Sequence, residues 1–217
     1  MASKTFFIST TRLENFSDGV FSIVLTLLAF QFKVPKFSSE LDLVNNFYEL
    51  IRIAPYFLGF IFSFFFIAVF WVNHHHLYHA VKETNSALLW YNIYFLFWIT
   101  MLPFAIAMVG DHPQVPMAAV SLGFVLFMAS IAAYLLLRYS YVKSKLVDET
   151  LSYDSIKDGL SKNRTAIIIT FLGILVAFKW VYISYCIYFA VLIIFLIPLK
   201  MEKRIRSSRN RIEKESV

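Results

Sequence analysis

The chain has little from which a catalytic or redox centre is built. Its one cysteine, Cys186, lies inside an apolar run, which excludes an intrachain disulfide and signals no redox chemistry. Charged residues are only 16% of the 217. There is no Ser-His-Asp arrangement in a credible context, no H-E-x-x-H and no phosphate-cradling glycine loop. Met1 to Thr11 lacks a continuous apolar core, so no cleavable signal peptide is expected. No internal repeat and no soluble domain stands out. These absences argue against an enzyme, and no cofactor is expected.

What the chain has in quantity is apolar surface. Hydrophobic residues make up 59% of it and aromatic residues 18%, with a mean hydropathy of +0.66. Soluble domains hold roughly 45–50% apolar residues, so the composition predicts a polytopic all-α membrane protein of one bundle. The formal charge of +6 does not imply nucleic acid. The basic residues flank apolar spans, where membrane topology and anionic headgroups account for them.

A run of roughly 20 apolar residues crosses a bilayer as a helix. Six such runs are expected: about Phe16 to Phe32, Ile51 to Val72, Ala87 to Val109, Val115 to Leu137, Thr165 to Phe178 and Val181 to Leu199. Lys33, Pro35 and Lys36 end the first, and Phe37 to Leu50 reads as a mixed polar segment with an interfacial turn of helix. The fifth run is short as written and admits an earlier start. The chain thus divides into a cytoplasmic N-terminal segment (1–15), a six-helix domain (16–199) and a basic cytoplasmic tail (200–217). Six spans put both termini on one side. Sixteen of the twenty Lys and Arg residues fall on that side, which the positive-inside rule makes cytoplasmic.

The first span carries the polar residues of most interest. At about 100° per residue, with Asp18 at zero, Ser22 falls at about 40°, Thr26 at about 80°, Phe30 at about 120°, Ile23 at about 140° and Leu27 at about 180°. A hydroxyl stripe therefore adjoins a bulky apolar stripe. Intramembrane polar groups face a bundle interior or a water-filled cavity, so this face suits a pore lining. Arg12, Phe16, Ser17 and Asp18 open the same span. One reading is a helix start capped by Asn15 or Ser17. The other is a buried polar knot in which Asp18 pairs with Arg12 or with a group on another helix, since an isolated charge at that depth is costly.

His74, His75, His76 and His79 have metal-ligand spacings, but no Cys, Asp or Glu besides Glu83 lies near them in sequence. Histidines that hydrogen-bond neighbouring helices are the favoured reading, and no metal is expected. Asn73 and Asn92 read as ties between helices, Ser63 and Thr100 as satisfied within their own helices, and Lys179 as a snorkelling anchor. There is no T-V-G-Y-G filter and no Arg-rich voltage-sensing span.

Arg12-x-x-x-Phe16-Ser17-Asp18 resembles the signature of the transmembrane protein 175 family, the endolysosomal and prokaryotic potassium channels. Trp71-x-x-His74-His75, Asn92 and Leu102-Pro103-Phe104 look like its companion motifs. The resemblance implies a single-repeat prokaryotic member in the plasma membrane. Such a chain assembles with itself as a homotetramer among membrane lipids, and the first helix of each copy lines a central pore for potassium and other monovalent cations. It also implies a constriction at Ile23 and Leu27 with Phe30 one turn on, and a hydroxyl layer at Thr26 and, more loosely, Ser22. Phe30 departs from the aliphatic residue expected there. Arg12, Phe16, Ser17, Asp18, Trp71, His74, His75 and Asn92 are then the network that holds the pore helix. Two other functions fit the residues: a secondary transporter or proton-coupled carrier using Asp18 and the histidines, and a membrane scaffold that moves nothing.

Overall fold

A computed structural model describes residues 9–30, 42–143, 146 and 153–196. Lys33, Pro35, Lys36 and the basic tail from Lys200 lie outside the described residues, as does most of the N-terminal segment. The described residues form six α-helices: α1 (Thr10–Ala29), α2 (Leu43–Ala80), α3 (Ser86–Asp111), α4 (Pro116–Arg138), α5 (Tyr153–Ala177) and α6 (Val181–Leu196). A π-helical turn, Tyr139–Lys143, prolongs α4. Among the described residues, four segments are long and apolar enough to cross a membrane: Gly59–Ala80, Ser86–Asp111, Pro116–Tyr141 and Ile156–Ala177. The 16 residues of α6 form a shorter apolar helix, while Arg12, Glu14 and Asp18 lower the hydropathy of α1.

Caps set several of the boundaries and correct the sequence reading. α1 starts six residues before the expected Phe16, because Ser9 takes the N-cap and its side chain accepts from the Arg12 N–H. Neither Asn15 nor Ser17 is the cap, and the Ser17 hydroxyl instead donates to Leu13 O at 2.8 Å. α2 starts at Leu43, where Asp42 accepts from Asn45 N–H at 3.1 Å. Leu43 to Leu50, within the stretch expected as a mixed polar segment with an interfacial turn of helix, is thus the first part of a 38-residue helix. At about 1.5 Å per residue it runs about 57 Å, well beyond a hydrocarbon core of about 30 Å. α5 starts at Tyr153 rather than Thr165, with Lys162 and Asp158 paired at 3.7 Å along its polar first half.

Two packing groups share the central helices. α1 lies against α2 and α3, and α4 packs most extensively against α3 and α5. Small residues allow the second group its close approach: Ala118, Ala119, Gly123, Ala129, Ser130 and Ala132 are all buried on α4. The ring of Tyr188 on α6 fills the space between Gly123 and Gly173, where a methyl group added to either glycine would collide with it. The Tyr188 hydroxyl donates to Ala119 O at 3.1 Å.

Candidate functional site: the two faces of the first helix

α1 has an inner and an outer face. Leu13, Ser17, Phe21, Val24 and Leu28 are buried against α2 and α3. Their spacings of three and four residues keep them in one stripe. The opposite side of α1 exposes Ser22, Ile23, Thr26, Leu27 and Phe30 together. Ile23 is 60% exposed, Leu27 46% and Phe30 83%. The Ser22 hydroxyl donates to Asp18 O and the Thr26 hydroxyl to Ile23 O, both at 2.8 Å. A hydroxyl has one hydrogen but two lone pairs. Both oxygens therefore remain able to accept from water or to face a cation.

The inner face is tied down by a bonded network. The Trp71 indole N–H on α2 donates to Asp18 Oδ1 at 2.8 Å. On α3, Asn92 Nδ2 donates to Ser17 Oγ at 2.9 Å. His74 Nε2 and Asn92 Oδ1 lie 2.8 Å apart, joining α2 to α3. Ser17 and Asn92 are fully buried and His74 nearly so. The His74 ring lies almost parallel to Phe95, with centroids 5.7 Å apart, and Phe21 of α1 packs against both rings.

The bond directions assign the protons. Ser17 spends its single hydrogen on Leu13 O, so toward Asn92 it can only accept. Asn92 Nδ2 is therefore the donor there, Asn92 Oδ1 faces His74, and the proton of that bond sits on His74 Nε2.

Asp18 has a partner on another helix, Trp71, rather than Arg12. Arg12 and Phe16 are exposed on the surface of the chain and stand outside the bonded set. His75 joins by a different route: its Nδ1 lies 3.4 Å from Glu14 Oε1 and its ring stacks on Trp71. Asn73 is not the tie between helices that was expected, because its amide donates to Val69 O of its own helix at 2.7 Å. Ser63 and Thr100 do bond within their helices, and the Lys179 ammonium sits 4.8 Å over the Trp180 ring. Among the described residues no group of three His, Cys, Asp or Glu side chains is arranged to hold a metal. Sequence reasoning missed the Glu14–His75 pair. Its one signal was that Glu14, Asp18 and Arg12 all lie on the opening turns of one helix.

Residues 12–103, from the opening of α1 to Pro103 of α3, match the family model described as endosomal/lysosomal potassium channel TMEM175. A potassium channel of Chryseobacterium sp. (strain P1-3) is 36% identical over 202 residues, covering 91% of this chain and 96% of its own. The chain belongs to the TMEM175 family. The crystal structure of a lysosomal potassium-selective channel TMEM175 homolog from Chamaesiphon minutus superposes with a TM-score of 0.74 at 28% identity, over 87% of this chain and 96% of that one. The human endosomal/lysosomal proton channel TMEM175 is 28% identical over 108 residues, which is 49% of this chain and 21% of the human protein. These TMEM175 relatives are channels, not enzymes. The matched segment contains both faces of α1 and every bonded residue of the network.

Proposed function

We propose that this chain is a potassium-permeable, leak-type cation channel of a prokaryotic plasma membrane. Four copies surround an axis, with six spans each and both termini in the cytoplasm. The exposed face of α1 from each copy lines the pore. Ile23 and Leu27 form the constriction and Phe30 the next ring, while Thr26 and Ser22 supply a hydroxyl layer. The single observation that carries this reading is the asymmetry of α1. One face is bonded to α2 and α3, and the other leaves Ile23, Leu27 and Phe30 exposed beside two exposed hydroxyls. A narrow apolar ring holds water poorly and so limits conduction by dewetting. Hydroxyl lone pairs nearby replace part of a cation's hydration. No group of three metal-ligating side chains gathers among the described residues, and Asp18 is held by Trp71, so little supports a carrier built on a relay of Asp18 and the histidines.

The test is single-channel recording from the purified chain in planar bilayers. Discrete openings with reversal potentials favouring potassium over sodium are expected, and Ile23→Asn, which wets the ring, raises conductance and weakens that preference. An Ile23→Asn channel with both properties unchanged removes Ile23 from the constriction. Reversal potentials that track only a proton gradient would instead favour the activity named for the human relative. Saturable coupled flux without unitary steps would favour a carrier.

A further inference from the structure

Two buried side-chain atoms next to the α1 network, His74 Nδ1 and Asn163 Oδ1, have no hydrogen-bond partner among the described residues. His74 is 3% exposed and Asn163, on α5, is 8% exposed. Both line a single pocket of about 40 Å³ whose walls are otherwise mainly apolar, among them Phe70, Phe95, Leu136 and Phe195. A third polar residue on the wall, Asn73, has its amide N–H committed to Val69 O.

Bond directions define what the pocket takes. The proton on His74 lies on Nε2, facing Asn92, so the neutral ring presents Nδ1 as a lone pair. Asn163 donates its amide N–H to Gly159 O at 3.0 Å, which leaves Oδ1 as an acceptor. Two acceptors do not bond each other. The occupant must carry two hydrogens, be small and be uncharged, because two neutral acceptors in an apolar wall do not replace the hydration shell of a cation. Water meets all three conditions. A site needs roughly 10–15 Å³ on this measure to hold one molecule and two or more polar partners to keep it.

We propose that this pocket is an ordered-water site. One water donates one hydrogen to His74 Nδ1 and the other to Asn163 Oδ1. The hydrogen-bonded chain from α1 then runs Ser17, Asn92, His74, water, Asn163, and so joins α5 to the helices that hold α1. The site does not depend on α1 lining a pore, since its occupancy and the conductance are separate measurements.

Solid-state NMR on the full chain in lipid bilayers, with ¹⁵N-labelled histidine, tests it. The His74 Nδ1 resonance is expected at the unprotonated position and Nε2 at the protonated one, with magnetisation passing from water to the His74 ring. Asn163→Leu, which fills the pocket and removes the acceptor, is expected to abolish that transfer while the Asn92–His74 contact persists. A protonated Nδ1, or no transfer from water in the native chain, overturns the proposal, as does transfer undiminished in Asn163→Leu. If that variant does not assemble, a density map of the native chain fine enough to resolve waters decides instead. A peak within hydrogen-bonding distance of both atoms supports the site and a dry pocket refutes it.

Discussion

Replacing Asn92 by leucine, which keeps the branched shape but puts two bulkier methyl groups where the amide was, removes the polar network at its centre. Asn92 is fully buried and bonds in both directions, to Ser17 at 2.9 Å and to His74 at 2.8 Å. Interhelical hydrogen bonds in membrane proteins are worth about 0.6 kcal/mol each, with a maximum of about 1.7. The two together therefore contribute on the order of 1–2 kcal/mol. The substitution also strands the His74 Nε2–H in the interior, and an unsatisfied buried donor costs roughly 1–3 kcal/mol. Ser17 suffers less, since its hydroxyl keeps Leu13 O as its acceptor. Asn92→Leu is thus expected to destabilise the fold by about 2–4 kcal/mol, a shift of roughly thirty- to several-hundred-fold in the folding equilibrium. Ser17→Ala removes two bonds, from Asn92 and to Leu13 O, but strands only one amide hydrogen because Leu13 O keeps its backbone donor, so about 1–2 kcal/mol is expected. The assay is reversible unfolding in mixed micelles, run as a double-mutant cycle with both single variants and the pair. The two losses should not add, and the shortfall should be about 1 kcal/mol. A neutral or stabilising Asn92→Leu, or strict additivity with Ser17→Ala, refutes the reasoning and reduces the network to adjacency without energy.

Other substitutions probe independent features. Gly123→Leu drives a side chain into Tyr188 at the α4–α6 contact and is expected to lower stability by at least about 1–3 kcal/mol, the usual range for overpacking, read as a drop in thermal midpoint; an unchanged midpoint means α4 and α6 are not in close contact. Tyr188→Phe keeps the ring but loses the bond to Ala119 O, so a loss of about 1 kcal/mol is expected from the same measurement. Trp71→Phe removes the donor to Asp18; because Trp71 is exposed and Asp18 half-buried, the stability loss should stay near 0.5–1 kcal/mol. A loss as large as that of Asn92→Leu would show that this bond, not the Ser17–Asn92–His74 chain, dominates.

Much of the bundle was legible because apolar runs and helix-ending residues report on it directly. The middle four helices begin and end within a few residues of the hydropathy boundaries except where a helix leaves the apolar zone. α2 begins at Leu43, eight residues before the expected Ile51, because Asn45, Asn46 and Glu49 depress hydropathy there although Asp42 caps the helix. α5 begins at Tyr153, before the expected Thr165, for the same reason: Asp154, Lys157, Asp158 and Lys162 suit a solvated linker or a helix extension alike, and the structure shows them in its first turns. Hydropathy measures the partition of side chains into lipid, whereas a helix needs only its backbone bonds and a cap. For the site, the residue types were visible but their partners were not. Ser17, Asp18, Trp71, His74 and Asn92 could each be named from the sequence. That Asp18 belongs to Trp71 and Ser17 to Asn92 depends on how α1 is rotated against α2 and α3, which no local pattern encodes. Asn163 gave no signal, since a lone asparagine in a polar stretch reads as surface.

That rotation explains why the network has the form it does. Ser17 and Asp18 are consecutive, so they point about 100° apart around α1. One is bonded to α3 and the other to α2. A single tie would leave the helix free to swivel about it, but two ties to different helices at that angle fix the rotation of the axis. The His74–Asn92 bond closes the triangle by holding α2 and α3 to each other. A slip of one residue in rotation would turn the buried Val24, which lies about 100° from Ile23, into the place of Ile23 on the outer face. The outer face works as a set only if that error is suppressed. Bonded polar groups suppress it better than apolar contacts do, because a rotated hydrogen bond is lost outright while a rotated leucine finds other neighbours. The residues that decide what α1 presents outward are therefore those on its inner side, and Ser17 and Asp18 constrain the outer face without forming part of it.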